Sequence, residues 1–406
     1  MKAKRVLRVM FCFLVLCLWV GAAKGSEEKS RCVICHEKVT PGIVKEWTSS
    51  KMSPSMGCED CHGSAHQTAK DSSKADLPTP DRCAGCHGEQ FKQYSDGKHS
   101  LAWIAMNAMP TTGFQPHPFI EGLKGCGGCH RIGLREAKAE GEYRYGMACI
   151  SCHTRHKFSQ AEAQSPQACR MCHMGFDHPQ WEMWSSSKHG TIYFTDPASG
   201  RAPTCQTCHM EDGNHKVMTA WGFLALRLPE PDAEWMGYRA TILKGLQVLD
   251  PAGNPTPRLE VVKAGKVARL SQEEWQKERD RMLKTCTRCH SGGFARVNLE
   301  NADAMIKEAD RMMARGIDLV AGLYQEGIIR PQPGKLAYPD ILTFYDAITP
   351  IEQKLYVMFL EHRMRAFQGA FHNNPDYVTW YGLAELKKDW VEMSRDAHEM
   401  RVHKGK

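Results

Sequence analysis

Sixteen cysteines of this chain fall into eight pairs, and a histidine directly follows every pair. The motifs are Cys32-Cys35-His36, Cys58-Cys61-His62, Cys83-Cys86-His87 and Cys126-Cys129-His130. Four more follow, at Cys149-Cys152-His153, Cys169-Cys172-His173, Cys205-Cys208-His209 and Cys286-Cys289-His290. Each reads C-x-x-C-H. At that spacing two thiols form thioethers to the vinyl groups of a c-type haem, and the adjacent histidine becomes its proximal iron ligand. Structural zinc sites also use cysteine pairs, and a disulfide framework also uses an even count, but neither demands the histidines. The expected cofactor is therefore eight covalently attached haems c.

A haem that only carries electrons holds two protein ligands, whereas a catalytic one keeps a position open. Eleven histidines lie outside the motifs. Seven sit where a distal ligand is expected: His66, His99, His117, His156, His189 and His215 in polar loops, and His372 far downstream. Seven distal ligands for eight irons leave one open. His398 and His403, near the C-terminus, read as solvated, and His362 as a packing or surface residue of a helix. His178 follows Asp177 just after the sixth motif. That pair could move protons at an open haem; alternatively His178 is an eighth distal ligand and nothing is open.

Seven motifs occur between Cys32 and His209, roughly one per 25 residues. So little chain cannot cover a haem with its own apolar side chains, so the haems must serve as the core, close together, inside short helices and loops. The expected fold is mainly α with much irregular structure, a multihaem cytochrome c core followed by a C-terminal long-helix region. Residues 1–25 read as a secretory signal: a basic start, an apolar run from Val9 to Ala23, then small residues before Ser26. It contains Cys12 and Cys17, and five of the positive charges behind the formal net charge of +7. Haem propionates would turn the remainder mildly acidic, so the basic balance does not indicate nucleic-acid binding. The mature protein is expected to be periplasmic, or otherwise exported, and soluble after cleavage.

The expected domains are a seven-haem domain over 26–220, a small insertion with the eighth motif over 221–295, and a helical oligomerisation region over 296–406. β-Branched runs around the turn Pro251–Pro255 predict a hairpin in the insertion. Beyond it, Met305, Ile306, Ala309, Met312, Met313, Ile317, Val320 and Leu323 recur at helical steps. Thr349-Pro350-Ile351-Glu352 opens another helix with a capping box, and a last one spans Tyr381 to Met400. Long helices without attached haems need a partner face to bury, which favours an oligomer.

Three segments carry a resemblance to the octahaem hydroxylamine oxidoreductase family. They are CHMGFDHPQWEMWSSSKHG, WGFLALRLPEPDAEWMGYRATILKG and NPDYVTWYG, together with the eight motifs in this order. The resemblance implies that the open haem is the fourth, on Cys126, Cys129 and His130, served by Asp177 and His178. It implies a homotrimer, and a tail tyrosine, Tyr377 or Tyr381, crosslinked to a neighbour's catalytic haem in members that oxidise hydroxylamine. Relatives without the crosslink run reductively on nitrite or related nitrogen oxides. The expected activity is hydroxylamine oxidation to nitric oxide or nitrite, with electrons passing through seven bis-histidine haems to a cytochrome or a quinone-linked protein. Two alternatives are the reverse, reductive reaction and a non-enzymatic electron-transfer cytochrome.

Overall fold

The computed structural model describes residues 29–107, 125–133, 148–175, 178–343 and 347–404. The signal-like segment 1–25, His117 and Asp177 lie outside them. Among the described residues the regular structure is helical, and strand pairing is limited to two isolated bridges, Arg227 with Arg269 and Leu249 with Pro255. The helices used below are α1 (Arg31–Val39), α2 (Pro41–Thr48), α3 (Gln180–Ser185), α4 (Lys188–Thr195), α5 (Ala233–Gly245) and α6 (Arg258–Ala264). They continue with α7 (Gln272–Cys286), α8 (Gly292–Gln325), α9 (Pro350–Val357), α10 (Met364–Phe371) and α11 (Ala384–Lys404).

The chain forms two compact units, one ending at Asp76 and the other beginning at Leu77. The first unit holds α1, α2 and the first two motifs. Ser30 caps α1 by accepting from Val33 N, which starts the helix immediately before Cys32.

In the second unit apolar packing is concentrated beyond residue 219. The large core cluster comprises Leu224, Leu226, Ile242, Leu246, Met313, Ile317, Phe359, Leu386 and their neighbours. A smaller one gathers Trp221, Trp235, Ile306 and Val378. Every fully buried member of both clusters comes from residue 221 onward. The haem-motif segment has little apolar core of its own, as so many motifs in so short a chain require.

The expected hairpin does not form. Its turn does: Asp250 N donates to Asn254 O at 2.8 Å, and Gly253 adopts φ +96°, a conformation that glycine tolerates best. Its arms are the helices α5 and α6. The β-branched residues that suggested strands, Ile242, Val262 and Val267, join the core cluster instead. Packing has overridden a weak local preference.

The C-terminal helices follow the sequence closely. Thr349 accepts from Glu352 N, and Glu352 Oε2 accepts from Thr349 N at 3.1 Å, completing the capping box. Ile351, Leu355, Met358, Phe359, His362 and Ala366 are all buried. In α8 the stripe is buried from Ile306 to Leu323, but Met305 turns outward at 37% exposure. His362 is a packing residue with a partner: its Nδ1 lies 2.6 Å from Asp389 Oδ2. His398 and His403 are exposed. The last helix begins with a π-helical segment, Tyr377–Leu383, before α11. There Gly382 approaches α10 so closely that a Cβ would stand 2.7 Å from Ala366 Cα. None of the described helices is long and apolar enough to cross a membrane.

Candidate functional site

An iron that takes one imidazole nitrogen on each side, at about 2 Å each, separates the two ring centres by about 6 Å. Among the described residues five motif histidines face a histidine outside the motifs near that separation, and His173 faces two, His99 and, at 6.4 Å, His178. His36 faces His66 at 6.1 Å, His173 faces His99 at 6.0 Å, and His153 faces His215 at 6.3 Å. His290 faces His189 at 6.2 Å, and His209 faces His372 at 6.4 Å. The residues fit haem.

Hydrogen bonds on the opposite ring nitrogen orient several of these imidazoles. His130 Nδ1 donates to Ala102 O at 2.7 Å, His62 Nδ1 to Asp76 O at 2.8 Å, and His372 Nδ1 to Gln368 O at 2.7 Å. His36 Nδ1 is bonded to Thr40 Oγ1 at 2.7 Å, and His66 Nδ1 to Asp71 Oδ1 at 3.1 Å. The bonds to carbonyl and carboxylate oxygens fix the tautomer, and all five leave Nε2 for a metal. Burial, with His372 and His173 nearby, pushes the His209 imidazole down to about 3. Burial with His99 and His178 alongside pushes His173 down to about 4. Both rings are therefore neutral at ordinary pH, the form a metal binds.

Removing one of these distal rings has a direct spectroscopic consequence. In His372→Ala the haem on His209 should lose its six-coordinate, low-spin signature, and reduced protein should bind one further equivalent of carbon monoxide. An unchanged low-spin count in the electron paramagnetic resonance spectrum would contradict the pairing of His209 with His372.

Contacts among the motif cysteines show how the attachment points are ordered within the second unit. Cys83 is hydrogen-bonded to Cys149, Cys169 to Cys205, and Cys172 to Cys129. Cys152 lies close to Cys169, and Cys208 close to Cys286. The third motif thus adjoins the fifth and the fifth adjoins the sixth. The sixth adjoins both the fourth and the seventh, and the seventh adjoins the eighth. The sixth is the junction. In the first unit Cys32 stands near Cys58.

His178 sits at that junction. Its ring centre is 6.4 Å from that of His173, at an interplanar angle of 85°, and its Nε2 donates to Cys172 O at 2.8 Å. The thiol of the same Cys172 reaches Cys129 of the fourth motif. His156 lies against Phe158, with ring centres 6.4 Å apart. Tyr377 and Tyr381 stack at 4.8 Å. Tyr377 is half-buried, and burial together with the Glu182 carboxylate raises its phenol above the ordinary value; Tyr381 is 46% exposed.

Sequence reasoning did not find the residues that hold this region. Glu182 Oε1 accepts from Gly175 N at 3.3 Å, just ahead of Asp177 and His178. Asn374 reaches the same short helix from the tail. Both lie in segments quoted for the resemblance, but neither residue type announces a role.

Known proteins place the chain among multihaem cytochromes. A family described as "Seven times multi-haem cytochrome CxxCH" matches residues 54–227 and 258–335, and "Cytochrome c554 and c-prime" matches residues 20–63. A Kuenenia stuttgartiensis protein described as "Probable nitrite reductase-hydroxylamine oxidoreductase fusion protein" is 27% identical over 479 residues, covering 91% of this chain. The chain spans about half, 51%, of that relative's length. A solved "reducing HAO-like protein complex" from Kuenenia stuttgartiensis aligns with TM-score 0.69 at 23% identity, over 92% of this chain and 85% of that one. A "hypothetical multiheme protein" aligns with the same TM-score at 22% identity, over 95% and 98%.

Proposed function

Because the chain belongs to the multihaem cytochrome family defined by repeated C-x-x-C-H motifs, and is related to hydroxylamine oxidoreductase-like and nitrite reductase proteins, we propose that it is an oxidoreductase of small nitrogen compounds. In this reading all eight motifs carry haem c, and one haem, on Cys126, Cys129 and His130, is open to substrate. The substrate is hydroxylamine, oxidised to nitric oxide or nitrite. The supporting observation is the place of His178. Its Nε2 is spent on the Cys172 carbonyl, and Cys172 in turn touches the fourth motif through Cys129. With Nε2 donating to that carbonyl, the imidazole stands beside the fourth motif, and this reading gives it the role of a proton carrier there.

Haem c supplies the coordination of substrate and the storage of its electrons. The chain's own residues do the rest. The motif cysteines would hold each porphyrin, and the facing imidazoles His66, His99, His189, His215 and His372 would close five irons to substrate. His117 and His156 are assigned to two more. His178 and Asp177 take up the protons that oxidation releases and pass them away from the site. Adjacency through the sixth motif gives electrons a route in both directions along the chain of motifs. The protein works in the periplasm as a homotrimer and hands electrons to a cytochrome or a quinone-linked protein.

A second reading runs the same site reductively, on nitrite or nitric oxide. The solved neighbour from Kuenenia stuttgartiensis, a reducing HAO-like complex, favours it. Tyr381, exposed on its own subunit, is the tyrosine available to a neighbouring chain, and its crosslink would bias the site towards oxidation. Steady-state assays of the purified holoprotein test both readings. The first expects hydroxylamine-dependent reduction of an added cytochrome; turnover only with nitrite and a strong reductant would select the second. Failure of both reactions would leave a cytochrome that carries electrons without catalysis.

A further inference from the structure

Helix α3 begins two residues after His178, and its placement therefore decides where the imidazole stands. At its start, Gln180 N donates to His178 O at 2.7 Å and Trp181 N donates to His173 O at 2.9 Å. From its first turn, Glu182 reaches back to Gly175 N. At its far end the Met183 carbonyl is one of the last four of the helix, which have no acceptor role within it. The tail of the chain supplies the missing donor. Asn374 Nδ2 donates to Met183 O at 2.7 Å and to Ser186 Oγ at 2.8 Å, while its Oδ1 accepts from Tyr377 N at 3.3 Å. The side chain is 3% exposed, and its own N donates to Gly369 O at 3.0 Å. Asn373, just before it, adopts φ +53°, so the backbone turns sharply to aim this amide at α3.

We infer that Asn374 is a positioning residue for His178: it locks the end of α3 to the tail and thereby fixes the imidazole at the Cys172 carbonyl beside the fourth motif. The inference rests on the reading of His178 as the proton carrier of the open haem. A side chain that only filled space would not need two donors aimed at one helix end and an acceptor aimed at the tail. The arrangement also links His178 to His372, which lies two residues before Asn374 and faces the seventh motif.

The test is Asn374→Asp in the holoprotein, which keeps the shape and the acceptor but turns both donors into acceptors. Loss of two hydrogen bonds at one anchor should lower kcat about tenfold, with KM unchanged. In a His178→Ala background the same substitution should add nothing, because its effect passes through the imidazole. The carbon–oxygen stretch of the reduced carbon monoxide complex reports the same thing without turnover. It should move in Asn374→Asp towards its position in His178→Ala, while haem content and the low-spin signature of the His209–His372 haem are kept. If the parent binds carbon monoxide and the band moves in His178→Ala but not in Asn374→Asp, the positioning role is overturned and the site reading stands. A parent that binds no carbon monoxide overturns both. If Asn374→Asp does not accumulate as holoprotein, Ser186→Ala removes one of the two acceptors at an exposed residue; it should move the band the same way by less, and an unmoved band overturns the inference.

Discussion

Replacing Asp310 with alanine lowers the stability of the C-terminal helical body by about 3–5 kcal/mol, the cost of leaving buried charge without its partner. Asp310 is fully buried in the middle of α8. Its Oδ1 accepts from Arg363 Nε at 2.8 Å and lies 2.7 Å from Arg363 Nη2, and its Oδ2 accepts from Trp235 Nε1 at 2.7 Å. Arg239 stands 3.9 Å away and stacks its guanidinium over Trp235. Arg363 also donates to the carbonyls of Leu224 and Ala225, each at 2.9 Å. One carboxylate thus joins α5, α8, the turn at Leu224 and the π-helical segment Met358–Arg363. Removing it leaves the Arg363 guanidinium, without solvent exposure, lacking its carboxylate, while Arg239 keeps Glu230 at 2.7 Å. Denaturant unfolding followed by helical circular dichroism should show the loss. Replacing Asp310 and Arg363 together with apolar residues should recover much of it, because a buried pair contributes little net stability over a well-packed apolar pair. Equal losses in the single and double variants would contradict this account of the network.

The largest effect on turnover is expected from Asp177→Ala combined with His178→Ala. A positioned acid–base group contributes about 10²–10⁴-fold, so turnover should fall by that order while all haem remains attached. Haem attachment depends on the cysteines and axial histidines, which the double variant leaves intact. The competing account, an electron carrier with His178 as a distal ligand, predicts something else. It expects electron transfer to persist and one haem to become high-spin. Full haem content with unchanged spin state and collapsed turnover is the outcome expected here. That choice follows from the partner His173 has in His99, with ring centres 6.0 Å apart, and from the place of His178 against Cys172, which adjoins the fourth motif.

The parts of this protein that were legible in its sequence are those where spacing alone dictates the structure. C-x-x-C-H fixes the attachment chemistry whatever surrounds it. A capping box at Thr349 and Glu352 is a local device, and it appears at the expected residues. The stripe of α8 is nearly complete because one face of a 34-residue helix must meet the core. The hairpin failed for the opposite reason. Ile242 and Val262 favour strands only weakly, and the large core cluster gave them more to bury against as helix residues. Pairings between distal and motif histidines span from 30 residues, His36 to His66, to 163 residues, His209 to His372. No local rule connects such positions. Asn374 and Glu182 were invisible for a similar reason: their importance lies in which backbone groups the folded chain brings within their reach.

The central claim is that one haem is open beside His178 while the others are closed by histidine. The absorption spectrum of fully reduced holoprotein, before and after carbon monoxide, tests it most directly. With eight attachment motifs, the account predicts a shift amounting to about one haem in eight, and a separate red-shifted band on that haem if a tyrosine crosslink is present. A spectrum that carbon monoxide leaves unchanged would mean that every iron is closed, and would contradict the account.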